Sequence, residues 1–242
     1  MATILFVVAH PDDVAFGMGG TAWLLKDRYD LHVVCVTKGE RGLPGRSLAA
    51  TAALREQEEA GACALLGAKL TFLGKIDREV YADAETCRPV AEIIRRLAPV
   101  ALLTIWPIDT HPDHSAIAEI AKKSVFLAQH PLEIIYSEED MIGQTSHFAP
   151  DFYVDISRVM DDKLRLIRCH ACQNASDRMA QAALQQATVR GRESGCVLAE
   201  GFRSLRPPAT DDASVLTGLT ETRLAVRPAR PAGAATFSGS TK

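Results

Sequence analysis

The sequence predicts a single α/β domain built on a Rossmann-like, doubly wound and mostly parallel sheet. Two observations carry this expectation. Nearly continuous apolar runs at 2–9, 31–37 and 100–106 have the composition of strands buried on both faces. Helix-length segments separate such runs, so strand and helix alternate over the first ~130 residues, the order that winds a parallel sheet.

The elements follow in chain order. Residues 2–9 read as the first core strand. Residues 17–25 read as a helix in which Gly19 and Gly20 allow close approach to the sheet. A second buried strand spans 31–37, and the glycine- and proline-containing stretch 38–47 is a loop. Residues 49–66 are strongly helical, with Gly67 as C-cap. A short strand at 69–73 precedes a helix over 84–97, which Pro99 ends. After the strand at 100–106, a helix opens on Pro112 and runs to about Gln129, proline being suited to a first turn. Residues 133–136 and 152–156 read as later strands, and 160–171 and 175–192 as helices. No internal repeat is visible. From Pro207 the composition shifts to Pro, Ala, Gly, Ser and Thr. The expected organisation is one domain over 1–206 and an extension over 207–242 that is mobile toward its end.

Composition excludes several function classes. A net charge of −3 without a basic run argues against nucleic acid as a partner. Nothing approaches the ~18 consecutive apolar residues of a membrane helix. The first eight residues lack a basic n-region and a cleavage site, so they read as core rather than as a signal peptide. Six scattered cysteines suit a reducing, cytoplasmic setting better than a disulfide framework.

Two clusters carry chemistry. His10-Pro11-Asp12-Asp13 directly follows the first strand, and His111-Pro112-Asp113-His114 follows the strand at 100–106. Open parallel sheets build their sites at the carboxyl ends of strands, where both clusters fall. Crowding imidazoles and carboxylates together calls for a compensating cation. Each cluster alone also reads as a polar loop capping a helix; together they offer a mixed His/carboxylate set suited to catalytic zinc.

On these motifs the chain resembles the PIG-L/LmbE-like zinc-dependent N-acetylglucosaminyl deacetylases. Supporting segments are Gly17-Met18-Gly19-Gly20, Thr37-Lys38-Gly39-Glu40, Arg55 to Glu59, Val154-Asp155-Ile156 and Ala199-Glu200-Gly201-Phe202, so the resemblance covers about residues 2–203. It implies metal ligation by His10, Asp13 and His114, with Zn2+ as the default and Fe2+ as another divalent candidate. It further implies Asp12 as general base, His111 as electrophile or general acid, and Asp113 as the carboxylate orienting a histidine, His111 above all. Arg55 and, after the 69–73 strand, Asp77 would contact substrate. The implied partner is a small acetamido sugar, and self-association into a homo-oligomer follows from the same analogy. One departure stands out: Val14 and Ala15 occupy positions where the family carries a glutamate. It motivates an alternative, a degenerate member that binds an acetamido sugar or a metal without turnover.

Three other patterns carry less. Gly17-x-Gly19-Gly20 lacks the tight strand-to-glycine turn of a dinucleotide site. Cys169-x-x-Cys172 has no second pair, and Ser47 and Ser115 have no Ser/His/Asp context.

Overall fold

The computed structural model describes residues 1–141 and 143–205. The expected mobile extension over 207–242 lies outside the described residues. The elements are β1 (Thr3–Val8), α1 (Asp13–Leu25), β2 (Asp30–Thr37), α2 (Leu48–Leu66), β3 (Lys69–Lys75), α3 (Ala84–Leu97), β4 (Ala101–Ile105), α4 (Pro112–Ala128), β5 (Glu133–Ser137), β6 (Phe152–Asp155), α5 (Met160–Cys169), α6 (Arg178–Ser194) and β7 (Ala199–Ser204). They form one seven-stranded sheet in the order β3-β2-β1-β4-β5-β7-β6. The first five strands pair in parallel, while β7 runs antiparallel to both β5 and β6.

The alternation of the strands divides the core into two layers. Ile4, Phe6 and Val8 point to one face, which α1, α2, α5 and α6 cover. Leu5, Val7 and Ala9 point to the other, which α3 and α4 cover. Every residue of 4–9 is fully buried, as a central parallel strand requires. Among the described residues no helix is long and apolar enough to cross a membrane.

Two boundaries differ from expectation for local reasons. Helix α1 begins four residues before the glycine pattern, because Asp12 turns the chain at φ 101° and its carbonyl accepts the Phe16 N–H. Between α5 and α6, Ser176 and Asp177 take φ 55° and 58°, which confines Ala175–Asp177 to a single 3-10 turn and starts α6 at Arg178. At Gly20 the close approach is real: a Cβ there would lie 2.7 Å from Ile156 Cγ2.

Strand β7 carries a buried charge. Glu200 receives Lys163 Nζ at 2.7 Å and the N–H groups of Gly20 and Thr21 at 2.9 and 2.8 Å. It thereby ties the last strand to both α5 and α1.

Candidate metal centre and its cavity

The parallel strands deliver five loops to one edge of the sheet. His10–Asp13 follows β1, Glu40 follows β2, Asp77 follows β3, Asp109–His114 follows β4 and Glu139 follows β5. Strands β1 and β4 are neighbours at the point where strand order reverses, which opens a crevice between their loops. A cavity of about 260 Å³ lies there, with His10, Asp12, Asp13, Arg78, Glu139 and Gln144 among its lining.

Asp13 is the hub. Its Oδ2 accepts the N–H groups of Ala9 and His10 at 2.9 and 2.8 Å, which fixes the carboxylate. Its Oδ1 faces His10 Nδ1 at 3.8 Å and His114 Nε2 at 3.6 Å. Donors about 2.0–2.1 Å from a tetrahedral cation stand about 3.3–3.4 Å apart, so the two Asp13 spacings are somewhat long for such an ion.

Each histidine is oriented from behind by carboxylates. His10 Nε2 lies 3.1 Å from Asp113 Oδ2 and 3.4 Å from Asp77 Oδ1. His114 Nδ1 lies 3.3 Å from Asp109 Oδ2, with Gln144 Nε2 at 3.4 Å from the same nitrogen. Such outer partners fix the ring and its tautomer and aim the remaining nitrogen. The expectation that Asp113 orients His111 is thereby corrected: its carboxylate holds His10, and only its backbone N–H reaches His111 Nδ1, at 3.3 Å.

The electrostatics of the centre favour positive charge. Burial alone would lower His10, yet hydrogen bonds donated to Asp113, Asp13 and Asp77 raise it well above its ordinary value. His114 is likewise raised to about 9, by Asp13 and Asp109 against the effect of burial. Burial opposes ionisation of Asp13, but His114 and His10 hold its carboxyl well below the usual range. Raised histidines beside a lowered aspartate mark a site that gains from positive charge, which a divalent ion would also supply.

His111 completes the cluster. Its ring centroid stands 4.6 Å from that of His10 and 4.9 Å from that of His114. Nitrogens of the three histidines fall within 4.8 Å of one another, as do donors of His10, Asp77 and Asp113. Burial, reinforced by the charges of His10 and His114, lowers His111.

Asp12 addresses different partners from its neighbour. Its Oδ2 accepts Arg55 Nη2 at 2.9 Å, and its N–H donates to Glu59 Oε2 at 3.1 Å. The same guanidinium donates to the carbonyls of Pro11, at 2.5 Å, and Gly39, at 3.1 Å. A Cβ at Gly39, itself at φ 59°, would lie 2.1 Å from Arg55 Nη1, so the loop glycine makes room for the clamp. Burial pushes the Asp12 carboxyl up to about 6 despite Arg55.

All eight expected site residues therefore meet at this edge. Arg55 lines the cavity but spends three bonds on the Asp12 turn. Asp77 also lines it, while backing His10 and accepting the Arg41 N–H at 3.1 Å. Asp109, Glu59 and Glu139 were not anticipated in these places, and His170, in a segment that resembles one near the family's active site, had no assigned role. Glu59 was the most accessible to inference, one helical turn from Arg55 on α2. His170 Nε2 lies 3.6 Å from Glu59 Oε2, beneath the Asp12 turn. Cys169 and Cys172 are free cysteines, and Cys172 Sγ donates to Glu58 Oε2 at 2.8 Å.

The pattern of the family PIG-L, GlcNAc-PI de-N-acetylase, matches residues 5–125. Diacetylchitobiose deacetylase of Thermococcus kodakarensis is 31% identical over 83% of this chain and 82% of its own length. The 4-oxalmesaconate hydratase of Pseudomonas putida is 29% identical over 86% of this chain and 91% of its own. Among solved structures, N,N'-diacetylchitobiose deacetylase from Pyrococcus horikoshii superposes with a TM-score of 0.75 at 27% identity, covering 84% of this chain and 83% of that one.

Proposed function

The chain belongs to the PIG-L family, and from that premise we propose that it hydrolyses the N-acetyl amide of a small N-acetylglucosaminyl compound, releasing acetate and a free amine. One observation carries the reading. Adjacent carboxylates are split between two tasks, Asp13 facing His10 and His114 while Asp12 is held by Arg55 at the same cavity.

In this reading His10, Asp13 and His114 hold a divalent ion, zinc by default and Fe(II) as the other candidate. When bound, that ion polarises the acetyl carbonyl and acidifies water. Asp12 accepts a proton from the attacking water as general base. Arg55 keeps Asp12 aimed, and its position on the cavity wall, like that of Asp77, supports contact with substrate. His111 accepts the Asp113 N–H at Nδ1, which leaves the proton of the neutral ring on Nε2, free to donate to the developing oxyanion. Asp113 acts through His10, whose orientation it maintains. The proton on Asp12 then returns to the leaving amine, so that water and amide become acetate and amine in balance.

The test is acetate release from N-acetylglucosamine derivatives and diacetylchitobiose by zinc-loaded protein, with Asp12→Asn alongside. Sugar binding without acetate would instead favour the non-catalytic module that Val14 and Ala15 suggest; both side chains are buried apolar residues and bring no carboxyl to the site.

A second reading has a specific observation behind it, the similarity to a hydratase over most of both chains. The same base could deliver water to a carbon–carbon double bond of an unsaturated carboxylate. Loss of absorbance from 4-oxalmesaconate, with no acetate from any amide, would select that reading and sink the first.

A further inference from the structure

The turn after β3 carries an arginine that takes no part in the proposed hydrolysis. Arg78 follows Asp77, is exposed, and lines the cavity. Its backbone lies in the left-handed region, at φ 68°. A long side chain is uncommon there, and glycine or asparagine would make the same turn with less strain. The turn is fixed from the side of the histidines. The Arg78 N–H donates to Asp113 Oδ2 at 2.7 Å, and the Val80 N–H donates to Asp113 Oδ1 at 3.4 Å. That carboxylate is the one that orients His10, so a single residue links Arg78 to the centre.

The charge of Arg78 is unpaired. Among the described residues two arginines line the cavity. Arg55 gives its guanidinium to Asp12 and to the carbonyls of Pro11 and Gly39. The guanidinium of Arg78 has neither an ion pair nor a hydrogen bond among the described residues. Its acidic neighbours in the chain are engaged elsewhere. Asp77 faces His10 Nε2 at 3.4 Å and accepts the Arg41 N–H at 3.1 Å, while Glu79 pairs with the Arg41 side chain. Water reaches an exposed guanidinium, and so does a ligand in the cavity mouth. Its planar fork of N–H donors matches the oxygens of a carboxylate or a phosphate. A left-handed turn occupied by arginine, on the wall of a cavity and with its charge open, points to recognition of an anion.

We propose that Arg78 is a specificity-determining residue that binds an anionic group, a carboxylate or a phosphate, carried by the substrate away from its acetamido group. This deepens the deacetylase reading by naming acidic N-acetylglucosaminyl compounds as the substrate class, and it rests on that reading.

The test is calorimetric titration of the zinc-loaded full-length chain with three derivatives of N-acetylglucosamine at C1: the neutral methyl glycoside, the carboxymethyl glycoside and the 1-phosphate. Wild type, Arg78→Asn and Arg78→Gln are compared, with zinc content measured on each. Wild type should bind at least one anionic derivative about tenfold more tightly than the methyl glycoside, the low end for a hydrogen bond between charged groups because the site is open to water. Which anion is preferred identifies the group. The preference should shrink as ionic strength rises. Arg78→Asn suits the left-handed turn and removes the charge, so it should bind all three derivatives equally, with zinc content unchanged. Arg78→Gln should do the same, and it serves as the readout if the asparagine variant does not fold. Equal affinity of wild type for all three, an undiminished preference in a neutral variant that keeps its zinc, or no binding of any derivative would overturn the assignment. Acetate release from the same preparations separates the two proposals. Preference for an anion without acetate removes the turnover and leaves the Arg78 subsite standing; acetate released equally well from all three, with equal affinities, removes the subsite alone.

Discussion

Glu59 sits under the Asp12 turn and should cost stability in a pH-dependent way. Burial drives its carboxyl up to about 7 from 4.5, only partly offset by the Asp12 N–H and the Cys63 thiol. For an acid raised in the folded state, the protonated form is favoured on folding. Stability is therefore full below about 4.5 and is lost as pH rises through about 7. At 1.36 kcal/mol per pH unit the gap amounts to about 3 kcal/mol, fully lost by pH 8. Glu59→Gln keeps an oxygen for the Asp12 N–H and removes the titration. Urea denaturation of metal-free wild type and variant between pH 4.5 and 8 should show the variant gaining about 3 kcal/mol on wild type across that interval. Parallel stability curves would refute the reasoning, and would mean that the carboxylate is solvated or paired in a way its buried position does not suggest.

Three further outcomes follow from the same contacts. Asp12→Asn should lower kcat by about 10²–10⁴-fold with zinc content unchanged, measured by acetate release and elemental analysis, because it removes a base and no proposed ligand. His114→Ala should fall from about one divalent ion per chain to a small fraction of that, since it deletes one of three donors and abolishes the Asp109 relay behind it. Lys163→Met should destabilise the fold by about 3–5 kcal/mol in urea by stranding the buried Glu200, and Glu200→Gln in the same chain should restore part of the loss.

What could be read in the sequence follows from where each signal is written. Strands β1, β2 and β4 were legible because a parallel strand buried on both faces must be apolar throughout. Helix α3 matched over its full length, its ends set by the Asp83 cap and by Ala98 turning at φ 43° before Pro99. Strand β7 gave no such signal, since Glu200, Gly201 and Arg203 break the apolar pattern, and distant contacts with Lys163 and the Gly20 and Thr21 N–H groups are what explain a buried glutamate there. The His/Asp clusters were legible because their members are adjacent in the chain. Their partners were not: Asp113 meets His10 across 103 residues, and Glu59 meets Asp12 across 47. Asp109 stands five residues before His114, and that spacing alone does not reveal that the loop folds back to place it behind the ring.

The placement of β7 also bears on how the chain folds as it is synthesised. Among the described residues, strand β6 lies at the sheet edge and pairs with β7 alone, although β7 is made more than 40 residues later. Until residues 199–204 leave the ribosome, β6 has no neighbour, β5 presents an open edge, and Lys163 waits without its counter-charge. Strands β1 to β5 can assemble first, carrying both histidine clusters with them. Yet α1, with Asp12 and Asp13 at its head, gains the Glu200 tie to Gly20 and Thr21 only at that late step. The nascent domain thus passes through a stage with its chemistry encoded but its central helix unbraced and a strand edge exposed, the stage at which mispairing with another chain is most probable.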